Sequence, residues 1–372
     1  MSINNSAMAV GQPGRIGRAT ATKSPEPALF GEEWAETKGA GHYSELRKLV
    51  KEKGLLETQT GYYFLKLVST LALLGIGIFL LIIADNLWVQ LANAVFMGVV
   101  FAQIGFIGHD SGHYQIARSA RRNEIVGLVV TSLIALDFSW WVDKHNRHHL
   151  NPNQMGADGD IDVSVLAFTE DQARSKQGIL RLLVRHQAIL FFPITLLAFL
   201  SFRFGGLAFM IRGGKVKYLF LESLFVVVNT IVYLGLIYYF LGPWNGTYFL
   251  LVHQAVTGFF IANAFAPNHK GMPVVDEDAS LDFLTHQTIT TRNIKPNPVV
   301  DFLYGGLNYQ IEHHLFPNMP RNNFGKARKV VKDFCYQHSV SYHETSVIGS
   351  NIEIIKCLNQ ASRPLREKRT SA

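Results

Sequence analysis

Residues 62–84 read YYFLKLVSTLALLGIGIFLLIIA and residues 88–107 read WVQLANAVFMGVVFAQIGFI. Each run is long enough to cross roughly 30 Å of hydrocarbon as a helix. Only Asp85, Asn86 and Leu87 separate them, so the two form a hairpin. A second pair, Tyr218–Leu241 and Tyr248–Ala266, is joined by the short stretch Gly242–Thr247. Trp88 and Trp244 stand beside the two turns, where indole rings sit at headgroup level, and neither turn contains Lys or Arg. The flanking segments are rich in both: Arg47, Lys48, Lys51 and Lys53 before the first run, Arg118, Arg121 and Arg122 after the second, Arg212, Lys215 and Lys217 before the third. This asymmetry places both termini and the long central loop in the cytoplasm. The bilayer expected is a bacterial plasma membrane in preference to the endoplasmic reticulum.

Composition agrees. The chain has 372 residues, 48% of them hydrophobic, and combines a positive mean hydropathy with several apolar runs of membrane length, which together place it outside the soluble class. A formal net charge of +7 raises the question of nucleic acid, but the basic residues flank apolar runs and form no aromatic-interleaved patch. Cys335 and Cys357 are the only cysteines, too few for a disulfide framework or a thiolate cage. Any metal must therefore use imidazole or carboxylate. Residues 1–61 are polar, read as a cytoplasmic segment with a disordered start, and lack the apolar core of a cleaved signal. Residues 62–335 form the membrane domain. Residues 336–372 read as a cytoplasmic tail with no further signal.

Two weaker runs complicate the count of spans. Ile125–Val142 contains Asp137 and ends in Trp140-Trp141; Ile189–Phe204 is short, holds Pro193 and reaches Arg203. Both resemble interfacial or partly buried helices. The fold expected is an all-α integral membrane protein with four transmembrane helices in two hairpins and a cytoplasmic helical cap.

Eight of the 14 histidines fall in tight groups. His109 and His113 stand at i and i+4, hence on one face of a helix continuing the second span. His145, His148 and His149 stand at i, i+3 and i+4. Gln310, His313 and His314 repeat that spacing with Gln leading. His269 directly follows the fourth span. Clustered imidazoles repel as cations and are costly to hold neutral unless something coordinates them, so the set points to metal. With four spans, all eight meet on the cytoplasmic side; had Ile125–Val142 crossed, the second group would face away from the first. The other histidines, His42, His186, His286, His338 and His343, read as surface or loop residues, and His253 as satisfying a partner helix or lining a cavity.

Eight imidazoles exceed what one zinc takes, so two metals are implied. Ligand type leaves zinc, copper, iron and nickel open. Asp110 and Glu312 lie within the groups and are read as orienting imidazole N–H groups. Trp140 and Trp141 either line a substrate tunnel or sit in the interface, with the interface the simpler account. For Asp158-Gly159-Asp160-Ile161-Asp162 a solvated loop is the simpler account.

The set His109-x3-His113, His145-x2-His148-His149 and Gln310-x2-His313-His314, with its two hairpins, resembles the membrane fatty acid desaturase family from about residue 60 to about residue 335. The resemblance implies two iron ions held by His109, His113, His145, His148, His149, His313, His314 and, by position, His269. Gln310 in the leading position is similar to the front-end branch, which inserts a double bond between an existing one and the carboxyl end, as delta-6 enzymes do. No His-Pro-Gly-Gly haem motif precedes the first span, and no Gly-x-Gly-x-x-Gly fingerprint for a flavin or nicotinamide is present. The implied function is O2-dependent desaturation of an acyl-lipid or acyl-CoA, with electrons from a ferredoxin, cytochrome b5 or flavoprotein reductase. A hydroxylase or monooxygenase of the same superfamily is the second reading. A divalent-metal transporter is the remote third, since transporters hold their ligands near the bilayer midplane.

Overall fold

The computed structural model describes residues 39–367, and the outermost parts of the expected terminal segments lie outside them. In chain order the helices are α1 (Gly39–Glu52), α2 (Thr60–Ile83), α3 (Leu87–Gly112), α4 (Ala120–Ser132), α5 (Phe138–Leu150), α6 (Glu170–Ser175), α7 (Gly178–Arg185), α8 (Gln187–Thr195) and α9 (Ala198–Ile211). They continue with α10 (Leu219–His269), α11 (Phe283–Ile289), α12 (Pro298–Leu303), α13 (Gln310–Leu315), α14 (Phe324–Gln337) and α15 (Val347–Ala361). Two short strands, β1 (Asn293–Ile294) and β2 (Glu344–Thr345), pair in parallel.

Among the described residues three helices, α2, α3 and α10, are long and apolar enough to cross a membrane, and the bent pair α7–α8 would count as a fourth if it were one broken span. Between α2 and α3 the Asn86 side chain accepts from the N–H groups of Trp88 and Val89 and starts the second helix. Gln90 and Asn93 then tie the pair together, donating to Leu80, Leu81, Ala84 and Gly77 carbonyls. In an apolar phase such bonds have no water to compete with them. The outer face of α2 leaves Phe64, Leu65, Ile76 and Phe79 exposed, a surface suited to lipid. Helix α3 is buried along most of its length and forms the central post of the largest core cluster.

The third long helix is folded on itself. Gly242 has φ 69°, ψ 179°, a backbone that side chains disfavour, and Pro243 follows it. Residues twenty apart in a straight helix are about 30 Å apart. Yet Tyr233 Oη lies 2.6 Å from His253 Nδ1, so the two halves run antiparallel, as the second expected hairpin requires. The partner arm thus holds His253 through its Nδ1.

The weak runs do not form straight spans. Ala135 with φ 51° breaks the first between α4 and α5. The second begins at α8, which leaves α7 at 100° and is followed after a break by α9. The backbone between α8 and α9 approaches α10 at Gly258, where a Cβ would lie 2.5 Å from the Leu196 carbonyl oxygen. Helix α1 precedes the spans and packs on helices that follow them, Leu46 and Val50 joining Leu284, Leu315 and Phe334 in one cluster, while in α15 Ile354 and Leu358 join Ile161 and Phe191 in another.

Candidate metal centre

The C-terminal ends of α3 and α10 bring His109, His113 and His269 to one level, and α5 and α13 lay the remaining five imidazoles across them. Helix α5 is aimed by its N-cap, the Asp137 carboxylate accepting from Trp140 N–H. The eight rings are all buried. The ligand atoms of His109, His113, His145 and His313 lie within 4.8 Å of one another, and those of His148, His269 and His314 form a second such group. His149 stands between the two, its Nε2 3.1 Å from His145 Nε2 and its ring 4.2 Å from His314 and 4.6 Å from His313.

Burial comes first, and the neighbouring imidazoles second, in holding His145, His149, His313 and His314 well below the usual histidine range. Neutral rings keep a lone pair available for a metal. Nε2 atoms face one another at 3.2 Å for His109 and His313 and at 3.3 Å for His148 and His269. The Nε2 atoms of His113 and His314 are buried without a hydrogen-bond partner among the described residues. Converging lone pairs of this kind are costly without a cation between them. The donor set fits two imidazole-bound metal ions.

Several rings are oriented from behind. His109 Nδ1 lies 3.2 Å from Asp110 Oδ1, and Asp110 Oδ2 lies 2.7 Å from the buried Arg321 guanidinium. His314 Nδ1 donates to Gln287 Oε1 at 2.8 Å, and His148 Nδ1 to Asp158 Oδ2 at 2.9 Å. Each contact fixes a tautomer that leaves Nε2 for the centre. Gln310, in the position of the leading imidazole, places its amide 2.9 Å from His269 Nε2.

Glu312 points elsewhere. Its two oxygens accept from Asn293 and Tyr342 at 2.7 and 2.9 Å, and burial pushes its carboxyl up to about 7. It therefore supports the β1 region behind α13 and orients no imidazole, unlike Asp110. The solvated-loop account of 158–162 fails at Asp158, which is 2% exposed and also accepts from Asn153 N–H. Asp160 pairs with Lys144, and of the three aspartates only Asp162 is exposed. Trp141 is not interfacial: its ring stacks on His145, centroids 4.6 Å apart, while Trp140 is buried against Phe202. His286 is likewise buried, bonded to the Pro152 carbonyl. Gln287 and Arg321 carried no spacing signal. Asp158 did, as an acid-rich turn shortly after the second histidine group.

Fold and cluster together define a class: helices of membrane length whose ends carry a buried imidazole centre. A family profile described as fatty acid desaturase matches residues 86–346. An acyl-lipid (9-3)-desaturase of Physcomitrium patens is 29% identical over 340 residues, covering 88% of this chain and 63% of the relative. A delta(6)-fatty-acid desaturase of Caenorhabditis elegans is 30% identical over 325 residues, covering 82% and 72%. A delta(8)-fatty-acid desaturase of Euglena gracilis is 30% identical over 326 residues, covering 82% and 76%. The chain belongs to the fatty acid desaturase family, whose members are oxidoreductases that introduce double bonds with O2 and an electron donor.

Proposed function

We propose that this chain is an O2-dependent front-end acyl desaturase whose eight histidines hold two iron ions. The convergence of His109, His113, His145, His148, His149, His269, His313 and His314 at the ends of two membrane-length helices carries the reading. The irons supply the activation of O2, an oxidising power no side chain has. The protein's part is to hold the imidazoles in place through Asp110, Asp158 and Gln287, and to set one pair of methylenes against the centre. Removing one hydrogen from each methylene, with two electrons and two protons from a donor, reduces O2 to two waters.

An apolar cavity of about 590 Å³ lies between the second arm of α10 and α15, lined by Phe259, Phe260, Ala264, Ile352 and Ile355. Its size and lining suit part of an acyl chain. The front-end assignment rests on Gln310 and on the delta(6) and delta(8) names of the relatives. The unit carrying the activity takes in α1 and α15 as well as residues 62–335, since both pack on it.

The topology has four spans, the folded α10 counting as two, and its charge distribution faces the centre toward the cytoplasm. The relatives named come from a moss, a nematode and an alga, and lend no support to a bacterial bilayer. Exposed Lys and Arg on the same face would steer an acidic electron donor.

The test supplies purified protein with an unsaturated acyl substrate, O2 and NAD(P)H, with and without a reductase–ferredoxin pair, and locates double bonds by mass spectrometry. A new bond on the carboxyl side of the existing one, formed only with the carrier present, supports the proposal. A hydroxylated product, or a bond on the methyl side, argues against desaturation or against the front-end assignment respectively.

A further inference from the structure

A third group of metal-type ligands lies apart from the eight imidazoles. His42 and Glu45 stand three residues apart on α1 and share one face. His338, at the C-terminal end of α14, meets them there. One ligand atom from each of the three lies within 4.8 Å of the other two. The rings of His42 and His338 have centroids 4.5 Å apart. His338 is fixed by stacking on Phe334 at 4.1 Å, and His42 meets the same ring edge-on at 6.4 Å. The two histidines are half-buried and Glu45 is exposed, so the group is open to water. Ring packing accounts for the imidazole planes and leaves their nitrogens uncommitted.

We propose that His42, Glu45 and His338 form a separate site for one divalent cation of the zinc type. Two imidazole nitrogens and one carboxylate oxygen, with water in the fourth position, are an ordinary ligand set for zinc, whose bonds to such atoms are about 2.0–2.2 Å. The site ties α1 to α14, and both helices touch the third histidine group. Tyr43 of α1 donates to the Leu315 carbonyl at 2.9 Å, next to His314. Phe324, at the start of α14, packs 5.8 Å from His313. A bound cation therefore acts as a staple across the helices that bracket α13, and stabilises the folded cap by mass action.

The test is a zinc titration of the full chain, purified with its iron in detergent, followed by calorimetry and by counting zinc and iron on the recovered protein. Wild type is expected to take up one zinc with no loss of iron, and to unfold at a higher temperature when zinc is present. His42→Ala and His338→Ala are expected to bind that zinc at least 10-fold more weakly, with iron content and zinc-free activity unchanged. Glu45→Gln, at an exposed position that leaves the ring packing intact, is expected to weaken binding as well. Equal zinc uptake by wild type and all three variants, or uptake by wild type only as iron leaves, would overturn the proposal.

Discussion

Asp158 holds His148 by a single short contact in a place that water does not reach. Removing the charge but keeping the shape, as in Asp158→Asn, leaves an amide that can present either its oxygen or its NH2 group to Nδ1, so the tautomer is no longer enforced. Metal affinity or turnover should fall by roughly 10–100-fold, with the protein still inserted in the membrane. Iron content and turnover of the purified variant check this, and unchanged values would return Asp158 to the role of a loop residue. The acid-rich turn was visible in the chain, but not which of its carboxylates meets His148, because a contact between an irregular turn and a helical histidine has no period. The histidines themselves were legible, since three and four residues of separation place side chains on one helical face whatever else the chain does. Glu312 shows the limit of that logic. It sits next to two of the clustered imidazoles yet serves Asn293 and Tyr342, because adjacent residues on a helix point about 100° apart.

Asp137 offers a pH test that avoids the imidazoles. Burial, reinforced by the Glu222 carboxylate, pushes its carboxyl up to about 7. An unfolded aspartate ionises near about 4. Between those values the folded chain binds the extra proton, so wild-type stability falls as pH rises through the window and levels off above it. Asp137→Asn keeps an acceptor for the cap of α5 and removes the titration. The variant's unfolding temperature should match wild type near pH 4 and exceed it increasingly up to about 7; parallel curves would show that Asp137 ionises freely.

At the scale of elements, the centre depends on how closely α3 and α5 approach. A Cβ added at Gly112 would lie 2.5 Å from Trp141 Cζ3, and Trp141 is the ring that backs His145. Gly112→Ala must displace that indole, at a cost of about 1–3 kcal/mol for overpacking. The expected result is a strong loss of turnover with a smaller loss of stability, read from activity and thermal unfolding of one preparation. Full activity would mean that Trp141 has room to move. The hairpins were legible because length and hydropathy suffice to mark a candidate span, and because the stretch Gly242–Thr247 between two such runs is too short for anything but a reversal. The role of α15 was not. Its Glu353 reaches the buried Arg292, which also bonds the Pro267 and Lys270 carbonyls at the end of α10 that carries His269. A partnership of residues so distant in sequence exists only after folding.

For the whole molecule, one centre requires one side of the membrane. Single cysteines introduced at positions 115, 160 and 330, in a background without Cys335 and Cys357, should all be labelled by a membrane-impermeant reagent from the cytoplasmic side of sealed vesicles. Gln115 and Asp160 are partly or wholly covered in the folded state, so side is read from the direction of labelling, not its rate. Labelling of position 160 from the opposite side would break the common centre apart. The break at Ala135 interrupts the first weak run, and α7 and α8 meet at 100°, so neither stretch is a straight span.

What the eight imidazoles hold decides the chemistry of the whole chain. Protein purified aerobically from iron-replete cells, and counted for iron and zinc against chain concentration, should contain two irons, with His148→Ala losing iron while remaining in the membrane. Zinc alone in the wild-type protein, or a full complement of iron in the variant, would contradict the assignment of this cluster as the metal centre of an acyl desaturase.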